Sequence, residues 1–211
     1  NTPVGGDFRA RRTMKKHAER RLAPIFFFAA ILFGIVPAMS GAEDRVIPKD
    51  VALNPPNTVE NPSFEAGLAG WENFWSGSPG SGSASITAKA ARTGKSGVRI
   101  DHSGTQDWSL ANAARIPVSP GEIWEMTASV RASAETRSTG ISVVTRDSLG
   151  KETNWVFAFA EAPATDNWKT TARRFVVPRG TATIQLRLTG SGFARLSADD
   201  FSLVRVAEAP A

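Results

Sequence analysis

Cysteine and tyrosine are absent from the 211 residues, and histidine occurs only at His17 and His102. Without thiols the chain can form neither disulfides nor Cys-based zinc or iron–sulfur sites. With His102 the only imidazole beyond the N-terminal region, multi-histidine metal centres are excluded too. The longest apolar core, Ile25 to Val36 (IFFFAAILFGIV), is twelve residues, short of the roughly 20 that a membrane-spanning helix needs. No amphipathic helix or internal repeat is evident. There is no Gly-x-Ser-x-Gly elbow, phosphate loop or dinucleotide fingerprint. A Ser-His-Asp arrangement would have to use His102, beside which Ser103 is a chance neighbour. Paired carboxylates for glycoside hydrolysis are not excluded by composition, because their separation decides that chemistry.

The chain carries a net charge of +5, but all of it lies at one end. Residues 1–42 hold seven Lys or Arg against Asp7 and Glu19, and the remainder has 18 basic and 18 acidic residues. That neutrality argues against a nucleic-acid partner. The basic residues precede the twelve-residue apolar core, which is followed by Ala38-Met39-Ser40 and Ser40-Gly41-Ala42. A positive segment, a short apolar segment and a small-residue exit predict a bacterial secretory signal peptide beginning at Met14, with a mature start near Gly41 or Glu43. An uncleaved anchor is the alternative. The expected location is therefore secreted, periplasmic or cell envelope, with no stable membrane span after cleavage.

Residues 43–60 are polar and proline-bearing and are expected to form a linker. From 61 to 206 short β-branched and aromatic stretches alternate with Gly, Pro, Asn, Asp and Ser. In Trp124 to Val130 the apolar residues Trp124, Met126, Ala128 and Val130 share one face; in Thr183 to Thr189, Ile184, Leu186 and Leu188 do. Val98 with Ile100, and Trp155 with Phe157 and Phe159, alternate likewise. Turns are expected at Ser119-Pro120-Gly121, Asp147 to Gly150 and Pro178-Arg179-Gly180. Short strands without intervening helices predict an all-β antiparallel β-sandwich. Residues 76–85 are expected to be a loop and 207–211 a disordered tail.

Asn61-Pro-Ser-Phe-Glu65 with Gly67 and Trp71 resembles the opening of CenC-type carbohydrate-binding modules. The resemblance continues through Ala91 to Ile100, Ile116 to Gly121, Trp168, Phe175-Val-Val-Pro178 and Asp199-Asp200-Phe-Ser-Leu203. It spans about 145 residues and implies a galactose-binding-like jelly roll that binds polysaccharide or glycan without catalysis. It also implies a structural Ca2+. Glu65 and Asp199 or Asp200 would meet if the terminal strands lie side by side. A hard oxygen-seeking cation would relieve their repulsion, the loop at Gly94 and Lys95 adding carbonyl oxygens. The alternative is that these acids cap turns and face water.

Trp71, Trp124 and Trp168 match core-packing aromatics of the resembled family. Trp75, Trp108 and Trp155 are the candidates for stacking on sugar rings, since an indole suits a surface that is half apolar and half wet. For Trp155 a core stripe with Phe157 and Phe159 is an equal alternative. Gln185 and Arg187 lie on the strand face opposite the core and offer amide and guanidinium hydrogen bonds to hydroxyls. The reading is thus a noncatalytic glycan-binding module. The alternatives are a structural or adhesion domain of the cell envelope without a sugar site, and an ancillary domain of a glycoside hydrolase or lyase.

Overall fold

The computed structural model describes residues 55–208. The expected signal peptide, most of the expected linker and the end of the expected tail lie outside them. Within them the strands run β1 (Trp75–Ser76), β2 (Gly82–Thr87), β3 (Gly97–His102), β4 (Asp107–Ala111), β5 (Ile116–Pro117), β6 (Glu122–Ala132), β7 (Thr139–Arg146), β8 (Glu152–Glu161), β9 (Lys169–Val176), β10 (Thr183–Ser191) and β11 (Ala194–Glu208). A single 3-10 turn, Ala88–Ala90, interrupts them among the described residues.

The strands form two antiparallel sheets. One has the order β1-β4-β10-β7-β8, with β5 continuing beside β10; the other has the order β2-β3-β11-β6-β9. The period-two residues set the layers. Val98, Ile100, Met126, Val130, Leu196 and Leu203 of the second sheet meet Trp108, Leu110, Ile141, Val143, Ile184, Leu186 and Leu188 of the first in one core. This is the β-sandwich that the alternation predicts.

The domain begins and ends slightly beyond the expected bounds. Thr58 donates from its backbone to Leu203 O at 3.0 Å, and Val59 is buried, so residues 57–59 belong to the packed domain rather than to a linker. At the other end Ala207 pairs with Ile123 and Glu208 with Glu122, placing both in β11 instead of the tail.

One corner of the core is aromatic. Phe64 stacks on Trp71 with centroids 4.7 Å apart, and Phe201 meets Trp71 edge-on at 4.9 Å. Asn61, at φ 45°, ties the adjoining turn: its amide donates to Gly67 O and Ala69 O, and its backbone carbonyl accepts from Trp71 Nε1. The Asn61 to Trp71 motif is therefore a structural hub. Trp124 is also core, its Nε1 donating to Glu122 Oε2 at 2.9 Å. Trp168 departs from expectation. It is half-buried, and the Arg131 guanidinium lies 5.0 Å from its ring centre.

Candidate functional site

A cleft of about 700 Å³ opens on the outer face of the first sheet. Its lining comes from five adjacent strands, and strand register explains which side chains reach it. In β4, Trp108 and Leu110 are buried in the core, while Asp107, Ser109 and Ala111 line the cleft. Thr189 pairs with Ser109 and Arg187 with Ala111 across β4 and β10, and Arg187 pairs with Ser142 across β10 and β7. Gln185 and Arg187 consequently share the cleft face, opposite buried Ile184, Leu186 and Leu188.

Trp75 and Trp155 stand at the two edges of this floor, each 55% exposed. They are four inter-strand steps apart, roughly 19 Å along the sheet. Trp75 reaches the cleft through pairing of β1 with Ser109. Trp155 reaches it through a β-bulge. Val143 pairs with Phe157 and Thr145 with Asn154, so Trp155 and Val156 together oppose the single residue Val144. The extra residue shifts the alternation. Phe157 turns inward and meets Phe175 edge-on at 5.8 Å, while Trp155 faces the cleft. The core-stripe alternative holds for Phe157 but not for Trp155.

Trp108 corrects the sequence reading. Its polar neighbours Asp107 and Ser109 are the outward members of an alternating strand, so the indole between them is fully buried. It packs against Phe74 at 6.1 Å and His102 at 6.3 Å and cannot stack on a ligand at the surface.

Gln185 lines the cleft but is buried, and its Nε2 donates at 2.8 Å both to Glu72 Oε1 and to Asn112 O. Its amide protons are thereby used within the protein. What it presents to the cleft is Glu72, held in place; Glu72 is joined to β4 through a 2.8 Å bond from its N–H to Ala111 O. Sequence reasoning missed Glu72, Asp107 and Arg146 as lining residues. The alternation of β4 carried the signal for Asp107.

Arg187 is the least compensated cation of the cleft. Its Nη2 donates to Thr189 Oγ1 at a long 3.4 Å, its guanidinium lies 5.9 Å from the Trp155 ring centre, and its Nε has no partner. Burial pushes its pKa below the ordinary arginine value; Asp107 works against that shift, and the like charge of Arg146 adds to it. Arg146 is only 4% exposed and donates from Nε to Glu152 Oε1 at 3.2 Å, leaving Nη1 unpartnered.

The acids expected to bind Ca2+ all bond to the loop 91–96. The loop turns N–H groups toward them. Lys95 N and Ser96 N donate to Glu65 Oε1 at 2.9 Å each, and Arg92 N and Thr93 N donate to Asp199 Oδ2 at 2.7 and 3.1 Å. Asp199 Oδ1 accepts from Asp200 N at 2.8 Å. Asp200 accepts from Ser63, Thr93 and Arg92. Each of these carboxylates spends an oxygen on hydrogen-bond donors, and among the described residues no three acidic or imidazole side chains gather around one point, so the arrangement does not fit a Ca2+ ion. Lys95 contributes an N–H where a carbonyl was expected. Asp199 and Asp200 fasten the loop to β11 and Glu65 fastens it to the Asn61 to Trp71 segment, and Gly94 is required there. Its φ is +63°, and a Cβ would lie 2.4 Å from Glu65 Oε1.

His102 is buried as well. Its Nδ1 donates to Gly192 O at 2.7 Å, and its Nε2 accepts from the Ser76 or Ser81 hydroxyl at 2.9 or 3.0 Å. Ser103 bonds to Ser81 O instead. The imidazole thus braces a turn rather than activating a nucleophile at the surface.

The sequence profile of a family described as "Carbohydrate binding domain" matches residues 56–192. No curated protein matches the chain. Among solved structures, the enzymatically active domain of Bacteriophage CBA120 tailspike protein 4 is similar with a TM-score of 0.59 at 12% identity, covering 71% of this chain. This chain spans only 21% of that one. The Family 16 Carbohydrate Binding Module-2 has a TM-score of 0.52 at 20% identity, over 70% of this chain and 99% of its own. The CBM22-1 xylan-binding domain of Paenibacillus barcinonensis Xyn10C gives 0.50 at 22%, over 70% and 93%. At these identities the likeness establishes the fold.

Proposed function

The chain belongs to the carbohydrate binding domain family, and from that premise we propose that it holds its glycan in the cleft of the β1 to β8 sheet. Binding of carbohydrate without catalysis is the property of the family. The observation that carries the placement is the pair of half-exposed indoles, Trp75 and Trp155, at opposite edges of one polar floor. Sugar rings present C–H faces that stack on indole, and their hydroxyls find Glu72, Asp107, Ser109 and Arg187 between the two. A floor this long suits a chain of several sugars laid across the strands.

Within the family, the five motif segments from Asn61 to Leu203 support the CenC-type branch. The basic leader and short apolar core support export to the bacterial envelope or beyond. An accessory role beside a glycan-active enzyme is supported by similarity to a Clostridium thermocellum xylanase 10B fragment whose CBM22-1 and GH10 modules are joined; the TM-score is 0.51 at 17% identity, and this chain spans 27% of that one.

The test is affinity electrophoresis against a panel of polysaccharides, comparing the parent with Trp75→Ala and Trp155→Ala. Binding that both replacements abolish places the glycan in the cleft. Binding that neither affects would move it elsewhere.

A further inference from the structure

We infer that the glycan held in this cleft carries carboxylate groups, that is, uronic acid residues, and that one of them sits against Arg187 with Arg146 behind it. The inference deepens the cleft reading and rests on it. Arg187 and Arg146 lie on one face of neighbouring strands β10 and β7, where Arg146 pairs with Thr183 and Arg187 with Ser142. A guanidinium taken out of water is costly unless acceptors replace the lost solvent. Arg187 forms no ion pair among the described residues, bonds only Thr189 at 3.4 Å, and leaves Nε without an acceptor. Arg146 is nine-tenths buried and spends Nε on Glu152, while Nη1 is also unpartnered.

The two acids lining the cleft do not fill these positions. Glu72 is engaged by Gln185, and Asp107, whose charge is felt at Arg187, forms no ion pair with it and lies at the far end of β4, where it pairs with Ser191. The floor is therefore polarised, with acids toward β1 and β4 and cations toward β7 and β10. A carboxylate matches a planar guanidinium in geometry as well as charge, whereas a hydroxyl supplies one weak acceptor. Trp155, against which Arg187 lies, offers the stacking face for the ring that bears the carboxylate.

The experiment compares binding of the full protein to polygalacturonate, alginate and glucuronoxylan with binding to the same polymers after carboxyl reduction. The expected result is that at least one acidic polymer binds about tenfold or more tightly than its reduced counterpart, the scale of a hydrogen bond to a charged group. Raising the salt should narrow that gap. Arg187→Gln, checked by thermal melting, should lower affinity for the acidic polymer more than for its reduced counterpart and so close the gap. Equal or tighter binding to the reduced polymers, still lost in Trp155→Ala, overturns the carboxylate inference and leaves the cleft reading intact. Acidic-polymer binding that Trp75→Ala and Trp155→Ala both leave unchanged overturns the cleft reading, and absence of binding to every polymer overturns both.

Discussion

The Arg187 guanidinium lies 5.9 Å from the centre of the Trp155 ring, although their strands, β10 and β8, are not neighbours. The contact passes over β7 and is possible because the bulge opposite Val144 lifts the indole onto the outer face. A cation–π contact of this kind fixes the ring before any ligand arrives, which lowers the ordering cost of binding.

The two edge indoles should therefore separate from the buried ones. Replacing Trp75 or Trp155 with Ala should weaken glycan binding by about 2 kcal/mol, roughly thirtyfold, and leave the melting temperature close to the parent. Trp108→Ala should cost about 3 to 5 kcal/mol of stability, because it empties a large volume in the core. Calorimetry on a bound polysaccharide and thermal melts measure the two quantities independently. A Trp155→Ala protein that melts early and binds normally would return Trp155 to a structural role.

Gln185→Ala should behave as a loss of support. It removes the bonds to Glu72 Oε1 and Asn112 O, leaving a buried carbonyl without its donor, for which about 1 to 3 kcal/mol of stability is expected. Affinity should fall only as far as Glu72 is misplaced, and Glu72→Gln should have a comparable effect on binding with a smaller one on stability. If Gln185→Ala abolished binding at unchanged stability, the amide would be a direct sugar contact.

The sandwich was legible because burial on one face forces period two, and Trp124 to Val130 and Thr183 to Thr189 alternate apolar with polar residues without interruption, even though Ser129, Gln185 and Thr189 of the polar face are also buried. The same rule contained the answer for Trp108, since Asp107, Ser109 and buried Leu110 place it inward; attention to its polar neighbours alone pointed the wrong way. Trp155 was not decidable by periodicity. Its placement depends on two residues opposing one, and further slips flank it, one where Ala158 takes φ 55° and one between Asn154 and Glu152. Nothing in the local composition announces any of the three. The meeting of Glu65 with the loop before β3 was legible from the motif order, but whether that loop offers N–H or C=O is set by backbone torsions such as that of Gly94.

Metal removal follows from the same loop. With Glu65 and Asp199 each held by N–H donors of the loop, excess EDTA should leave the melting curve unchanged and added calcium should not raise it. A ligand that binds the native state would stabilise it by mass action, so a chelator-sensitive melt would show that the loop turns its carbonyls inward. Gly94→Ala should destabilise the protein whichever way the loop faces, since it meets both the positive φ and the Glu65 carboxylate.

Asp199 supplies a pH dependence whose direction is fixed by its burial. The carboxyl is fully enclosed, and removal from water raises its pKa above the ordinary aspartate value; the N–H groups of Arg92, Thr93 and Asp200 oppose that rise without cancelling it. The native state therefore holds this proton more readily than the unfolded chain does. By linkage, the contribution of Asp199 to stability is fully present below its unfolded pKa and is lost as pH rises through the higher native one. Asp199→Asn cannot titrate, and its NH2 group must face at least one of the three backbone donors, so it should be less stable than the parent throughout. The parent's advantage over this variant should grow on acidification through that window and flatten at neutral pH. Urea unfolding of both proteins across the acid range measures the difference directly. An advantage that shrank as pH fell would mean that the three N–H donors outweigh burial, and that Asp199 titrates below its ordinary value.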